Sequence, residues 1–173
     1  MVAFIAAGTH LATVSLVPLV IMQRAMSMIS QGDQINVALH APRANAINQR
    51  VVRPSPELIY TVCVYDVSKQ ALHVSGPAQD TYVSLSGFGA NTDNFFVINE
   101  RQLEVQADGS KQFSVVVRGS TSGGGQWPSG TQVIHAPTDR GILLFRSLVP
   151  SEEVLDSIYQ FQARQECTPV TAA

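Results

Sequence analysis

The first 23 residues, Met1 to Gln23, contain no charged side chain, and only His10 and a few hydroxyls interrupt the apolar run before Arg24. About 22 residues of α-helix span roughly 33 Å, close to the ~30 Å hydrocarbon core of a bilayer. Such a segment can be a membrane-spanning helix, the core helix of a soluble domain, or a cleaved leader. Each choice builds a different fold around it.

A cleaved leader normally opens with lysine or arginine and ends at a small-residue site. No basic residue precedes Arg24 here, so a retained anchor is the preferred reading. Pro18 lacks a backbone donor and crowds the preceding turn, which leaves two arrangements. In one, Val2 to Met26 form a single kinked helix, with Gly8 and Ala12 giving a small-residue face for close helix contact. In the other, a first helix ends near Ser15 and Pro18 opens a second that reaches Gln31. Leu19, Met22, Met26 and Ile29 would then form its packed face. Phe4, Ile5, Leu11, Val14 and Leu16 are the expected membrane or partner contacts. Arg24, Arg43, Arg50 and Arg53 all follow the segment, and the positive-inside rule taken alone puts the C-terminal side in the cytoplasm.

Only 14% of the 173 residues are charged, against roughly 25% in ordinary soluble domains. That deficit fits a chain with part of its surface covered by lipid or by a partner. The net charge is −2 and the basic residues are scattered, so no electrostatic footprint for nucleic acid exists.

From Ile59 onward the pattern changes to two-residue alternation. In Ile59 to Asp66, Tyr60, Val62, Val64 and Asp66 share one face and Ile59, Thr61, Cys63 and Tyr65 the other. Both faces are largely apolar, the mark of a central strand. Residues 71–75, 81–88, 95–98, 112–118, 131–135 and 141–147 also read as strands, with turn signals at Ser75-Gly76-Pro77 and Asp108-Gly109. The predicted fold is mainly β: an antiparallel sandwich or jelly roll with an N-terminal hydrophobic helix and a C-terminal helix. The helix at the end is expected from Ser151-Glu152-Glu153 to about Gln165, burying Val154, Leu155, Ile158 and Phe161. Residues 1–31 are the anchor, 32–58 an extended linker and 59–173 the sandwich domain.

No segment carries a readable catalytic motif. The four histidines, His10, His40, His73 and His135, lack metal-ligand spacing, although His73 and His135 fall on predicted strands that can converge in space. Neither metal nor cofactor is expected, and no serine sits in a G-x-S-x-G elbow. The best polar cluster is Arg53, Glu57, Tyr60 and Asp66, joined by Arg146 from the last long strand. It reads either as structural ion pairing or as an arginine clamp for a small acidic ligand. Asn91, Asp93 and Asn94 suit a turn cap or, more weakly, calcium. The loop Gly119 to Gly130 holds the only tryptophan, Trp127. It reads as a hairpin loop, or as a Trp-Pro tip that inserts into a partner or membrane interface. Cys63 and Cys167 are either two buried thiols or one disulfide tying the tail to a central strand.

Three segments together resemble the family called domain of unknown function 1254. They are PLVIM at 18–22 followed by Asn36, VVRPSPELIYTVCVYDVSKQALHVSGP at 51–77, and HAPTDRGILLFRSLVPSEEVLDSIYQFQ at 135–162. The chain departs from the family pattern at Ser55 and Glu57, where asparagine and aspartate are usual. The resemblance implies a bacterial envelope protein, one half of a two-part β assembly whose other half is a 1214-type β domain. It implies no established activity. It also makes Pro18 to Met22 part of the folded domain, so that the leader lies N-terminally in lipid and C-terminally on the sheet. The functional expectation is a non-catalytic accessory subunit of a membrane assembly, anchored in the inner membrane by its N-terminal helix with a periplasmic domain. The competing expectation is a small-ligand-binding sandwich.

Overall fold

The computed structural model describes residues 1–45, 54–122, 127 and 130–170. Val2–Ile29 form one helix, α1, uninterrupted through Pro18. The two-helix arrangement is therefore corrected. Losing the Pro18 donor removes one rung of the ladder, and the long apolar run on either side continues the helix. At 28 residues, α1 is roughly 42 Å long. Its residues up to Val17 are exposed, whereas Met22 and Met26 are buried and Ala25 and Ile29 half-buried. Leu19, expected on the packed face, is 42% exposed.

After α1 the chain turns through Gln31 and Gly32, both at positive φ. Asn36 follows in the left-handed region at φ 60, which asparagine tolerates better than most residues. Its side chain acts as an extra sheet rung. Nδ2 donates to the Asp66 carbonyl at 2.9 Å, and Oδ1 accepts from the Asp66 N–H at 2.8 Å.

Among the described residues, nine strands build two packed sheets. In chain order they are β1 (Leu39–His40), β2 (Leu58–Asp66), β3 (Ala71–Ala78), β4 (Val83–Gly89), β5 (Asn94–Asn99), β6 (Lys111–Arg118), β7 (Gln132–His135), β8 (Arg140–Leu148) and β9 (Glu166–Val170). One sheet has the order β1-β2-β8-β4-β5 and is antiparallel throughout. The other has the order β7-β6-β3-β9, with β6 and β7 parallel. The fold is mainly β, as expected.

Period-two alternation sends Cys63, Tyr65, Leu85, Leu143 and Phe145 inward to meet Leu72, Val74, Phe113, Val115 and Val117 of the opposite sheet. Phe113 and Phe145 meet edge to face, with centroids 5.5 Å apart, the arrangement favoured by the ring quadrupole. A second helix, α2 (Leu155–Gln162), is shorter than predicted. It packs Ile158 on Ile59 and Val149, while Val154 remains exposed.

Four local expectations are corrected. Ser75-Gly76-Pro77 lies inside β3. Gly76 is there for close approach, since a Cβ would come within 2.9 Å of the Gln165 side chain. The strands on either side of 119–130, β6 and β7, pair parallel and so are not the two arms of a hairpin. The tail is β9, paired to β3. Part of the expected linker is β1, which pairs Leu39 with Val62 and His40 with Thr61.

Candidate functional site

The outer face of the five-stranded sheet is more apolar than an exposed face should be. Tyr60, Val62 and Val64 on β2 stand beside Arg146, Leu144 and Ile142 on β8, and β4 adds Ser84, Ser86 and Phe88. The last turns of α1 cover one end of this face, where Met22 and Met26 close over Val64 and Ile142 with Phe88 alongside. Toward Tyr60 and Arg146, helix and sheet diverge around a groove of about 1110 Å³. Its helix wall is Ile21, Met22, Ala25, Met28 and Ile29, and its other wall is the segment from Leu39 to Pro42.

The second wall is firmly tied. Ala41 N–H donates to the Tyr60 carbonyl at 2.9 Å, and buried Gln162 donates to the carbonyls of both Ala41 and Tyr60 at 3.0 and 2.9 Å. Arg43 N–H reaches the Tyr159 hydroxyl at 3.1 Å, and the Arg43 side chain pairs with Glu152. His40 Nδ1 lies 3.0 Å from Thr61 Oγ1, and burial pulls its imidazole pKa below 6.5. At neutral pH the ring is predominantly uncharged.

Charge in the groove has one sign. Arg24 and Arg146 are among its lining residues, and no aspartate or glutamate is. Arg146 Nη2 donates to Ser86 Oγ at 2.8 Å. Its Nε is shielded from solvent without a hydrogen-bond partner among the described residues, and no carboxylate among them lies within 4.0 Å of the guanidinium. A shielded, unpaired donor on a cation is costly, and in folded proteins it calls for an explanation.

The predicted cluster divides along β2. Tyr60 and Arg146 are cross-strand partners and both line the groove. Asp66 lies at the far end of β2 opposite Arg140, with Arg140 Nε 3.5 Å from its carboxylate. Glu57 is exposed at the other end, and its N–H bonds Ser55 Oγ. Tyr60 accepts from the Ser55 N–H at 3.0 Å. Arg53 lies outside the described residues. The four described members therefore do not form one site.

Desolvation pushes the Asp66 carboxyl up, but the Ser68 hydroxyl and N–H, with Arg140 and Lys69, outweigh it and hold the group below its ordinary 3.8. Asn91 and Asp93 serve the β4–β5 turn, where Asp93 N–H bonds Asn91 Oδ1 at 3.3 Å and Gly89 N–H bonds the Asp93 carbonyl. His73 bonds Ser114, and β6 separates it from His135 on β7. Among the described residues no three His, Cys, Asp or Glu side chains cluster as metal ligands.

Cys63 and Cys167 are both free thiols. They come from opposite sheets and meet in the core, where Cys167 packs against the cluster containing Cys63. Trp127 is half-buried, and residues 123–126 and 128–129 around it are outside the described set. Phe4, Ile5, Leu11, Val14 and Leu16 are 57–84% exposed along α1.

The protein-family comparison matches residues 35–169 to the protein family of unknown function DUF1254. The chain belongs to this family. No curated protein sequence matches it. Among solved structures, it is similar to the VPA0106 protein from Vibrio parahaemolyticus, with a TM-score of 0.66 at 14% identity. That likeness covers 93% of this chain and 38% of the Vibrio protein. An uncharacterized protein from Burkholderia cenocepacia gives a TM-score of 0.53 at 17% identity, over 92% of this chain and 41% of its own. Both likenesses are of fold, and the chain spans about two fifths of each of these longer proteins. Neither match reaches the chemistry of the groove. The length and apolarity of α1 fit a membrane anchor or a signal sequence.

Sequence reasoning missed the groove because its walls are distant in the chain. One signal pointed to it: Tyr60, Val62 and Val64 make the second face of β2 apolar, so something had to cover that face. Gln162 gave no such signal.

Proposed function

We propose that the protein is a non-catalytic, membrane-anchored accessory subunit of the bacterial envelope, with α1 in the inner membrane and the sandwich on the periplasmic side. The observation that carries this reading is the division of α1. Its N-terminal two-thirds expose an uncharged apolar surface that water disfavours, while Met22 and Met26 fix its last turns to the sheet. A free leader would have no reason to contribute core residues to the domain that follows it. Partners would be membrane subunits contacting α1 through Phe4, Ile5, Leu11, Val14 and Leu16, together with a separately encoded 1214-type β domain. Carbonate washing of membranes from cells making the full chain tests the anchor. The protein is expected to stay in the pellet and to leave only with detergent. Release by carbonate, or recovery of a shortened soluble chain lacking α1, would overturn it.

The groove favours a second reading, compatible with the first, in which the sandwich binds a small ligand. Its support is Arg146, whose charge lacks a carboxylate partner among the described residues in a groove of ligand size. Small-molecule sites commonly run to roughly 300–1,000 Å³.

A further inference from the structure

Resting on the ligand-binding reading, we infer that the groove between α1 and the outer sheet face takes a single-chain carboxylate amphiphile, its tail along the helix wall and its carboxylate on Arg146. The groove is asymmetric in the way such a molecule is. Met22, Ile142 and Phe88 close the apolar end, and Arg146 lies toward the other. An apolar chain laid on Val62 and Leu144 leaves water on both sides of the contact.

The head group follows from charge. Arg146 has one N–H on Ser86 and a shielded Nε without a partner among the described residues. No acid among the lining residues competes for the guanidinium. A carboxylate there supplies the missing counter-charge, and a planar guanidinium matches a planar carboxylate through paired N–H donors. Arg24 lines the same groove and adds charge of the same sign. His40 does not compete as a cation, being predominantly uncharged at neutral pH. Arg146 is the arginine on the groove floor, and a carboxylate seated there meets its planar N–H donors with both oxygens.

The test uses the full chain in phosphatidylcholine nanodiscs, titrated with the fluorescent polyene fatty acid cis-parinaric acid against empty nanodiscs. Saturable binding above the empty-disc background is expected. The methyl ester, which keeps the tail and loses the charge, and hexanoate, which keeps the charge and loses most of the tail, should each compete at least about tenfold more weakly. Arg146→Gln should weaken parinarate binding by a similar factor, with Arg146→Lys recovering part of it. Leu144→Trp, which fills the groove, should abolish binding. Thermal unfolding midpoints of all variants are compared, so that loss of the ligand is separated from loss of the fold.

If Leu144→Trp abolishes binding but Arg146→Gln and the methyl ester behave like the parent pair, the carboxylate assignment is overturned and the ligand groove survives. If no variant changes binding, or nothing exceeds the empty-disc background, both are overturned. If phosphatidylglycerol added to the nanodiscs displaces parinarate at equal concentration, the occupant is a phospholipid and the inference fails.

Discussion

Asp66 ends β2 with its backbone held by Asn36 and its carboxylate shared between Ser68 and Arg140. Because the folded group titrates below its ordinary 3.8, its contribution to stability is present above the unfolded pKa. It is lost as pH falls through the folded value. Asp66→Ala should therefore lower the urea midpoint at pH 7, and its gap from the parent protein should narrow progressively below about pH 4. A gap constant from pH 7 to pH 2.5 would show that the carboxylate charge contributes nothing. Part of this was readable beforehand, since Asp-Val-Ser is a turn in which the acid accepts from the residue two places on. The partner was not readable. Tyr60 and Asp66 share a face of β2, so a cluster including both looked reasonable, yet six residues of strand separate them by roughly 20 Å. Only the β2–β8 register, which sets Tyr60 against Arg146 and Asp66 against Arg140, shows that two sites stand where one was expected.

At the scale of elements, the junction between α1 and the sheet is the most consequential packing. Met26 is 2% exposed and Met22 8%, and truncating a buried methionine to alanine typically costs about 2–5 kcal/mol. Met26→Ala should spend that loss locally. Amide hydrogen exchange in residues 22–30 is expected to speed up by one to two orders of magnitude (about 2 kcal/mol), with β2 and β8 still protected. Uniformly faster exchange across the sandwich would mean that α1 is integral to its core. Long, regularly alternating strands were legible, as was the helical spacing of Met22, Met26 and Ile29. The elements that escaped lack such patterns. β1 has two residues, too few for any period, and β9 (Glu166-Cys167-Thr168-Pro169-Val170) carries a proline and little alternation. In β3, Gly-Pro imitates a turn but is needed for the approach of Gln165.

For the whole molecule, Cys63 and Cys167 couple the two sheets. Burial pushes the Cys167 thiol well above its ordinary range, and the neighbouring Cys63 adds to the effect. Thiolate is scarce at neutral pH, so alkylation of the folded protein should be slow. Oxidation by diamide is expected to join the pair within one chain: the thiols give up two protons and two electrons, and diamide becomes the hydrazine. A bridge closing a loop of about 100 residues is worth up to about 4–5 kcal/mol in the chain-entropy model, so the urea midpoint should rise. Cys167→Ser should remove the rise. Only intermolecular dimers, or no loss of mass from the monomer, would refute the pairing. The sequence offered this partnership as one of two options, because only the packing of β9 against β3 brings residue 167 to the core. The parallel β6–β7 pair was equally invisible, since a Gly/Ser-rich connection has the same composition whether it reverses the chain or carries it across.

The tether at Asn36 has a mechanical meaning. Between Ile29, the last residue of α1, and Asn36 the chain has six residues, and Asn36 clamps that short link to the end of β2 through both edges of its amide. With α1 seated in a bilayer, there is no slack for the sandwich to swivel independently of the helix. Any tilt or rotation of α1 would turn the whole domain like a rudder on its stock. A neighbour that grips the exposed helix within the membrane would thereby steer the groove at the surface.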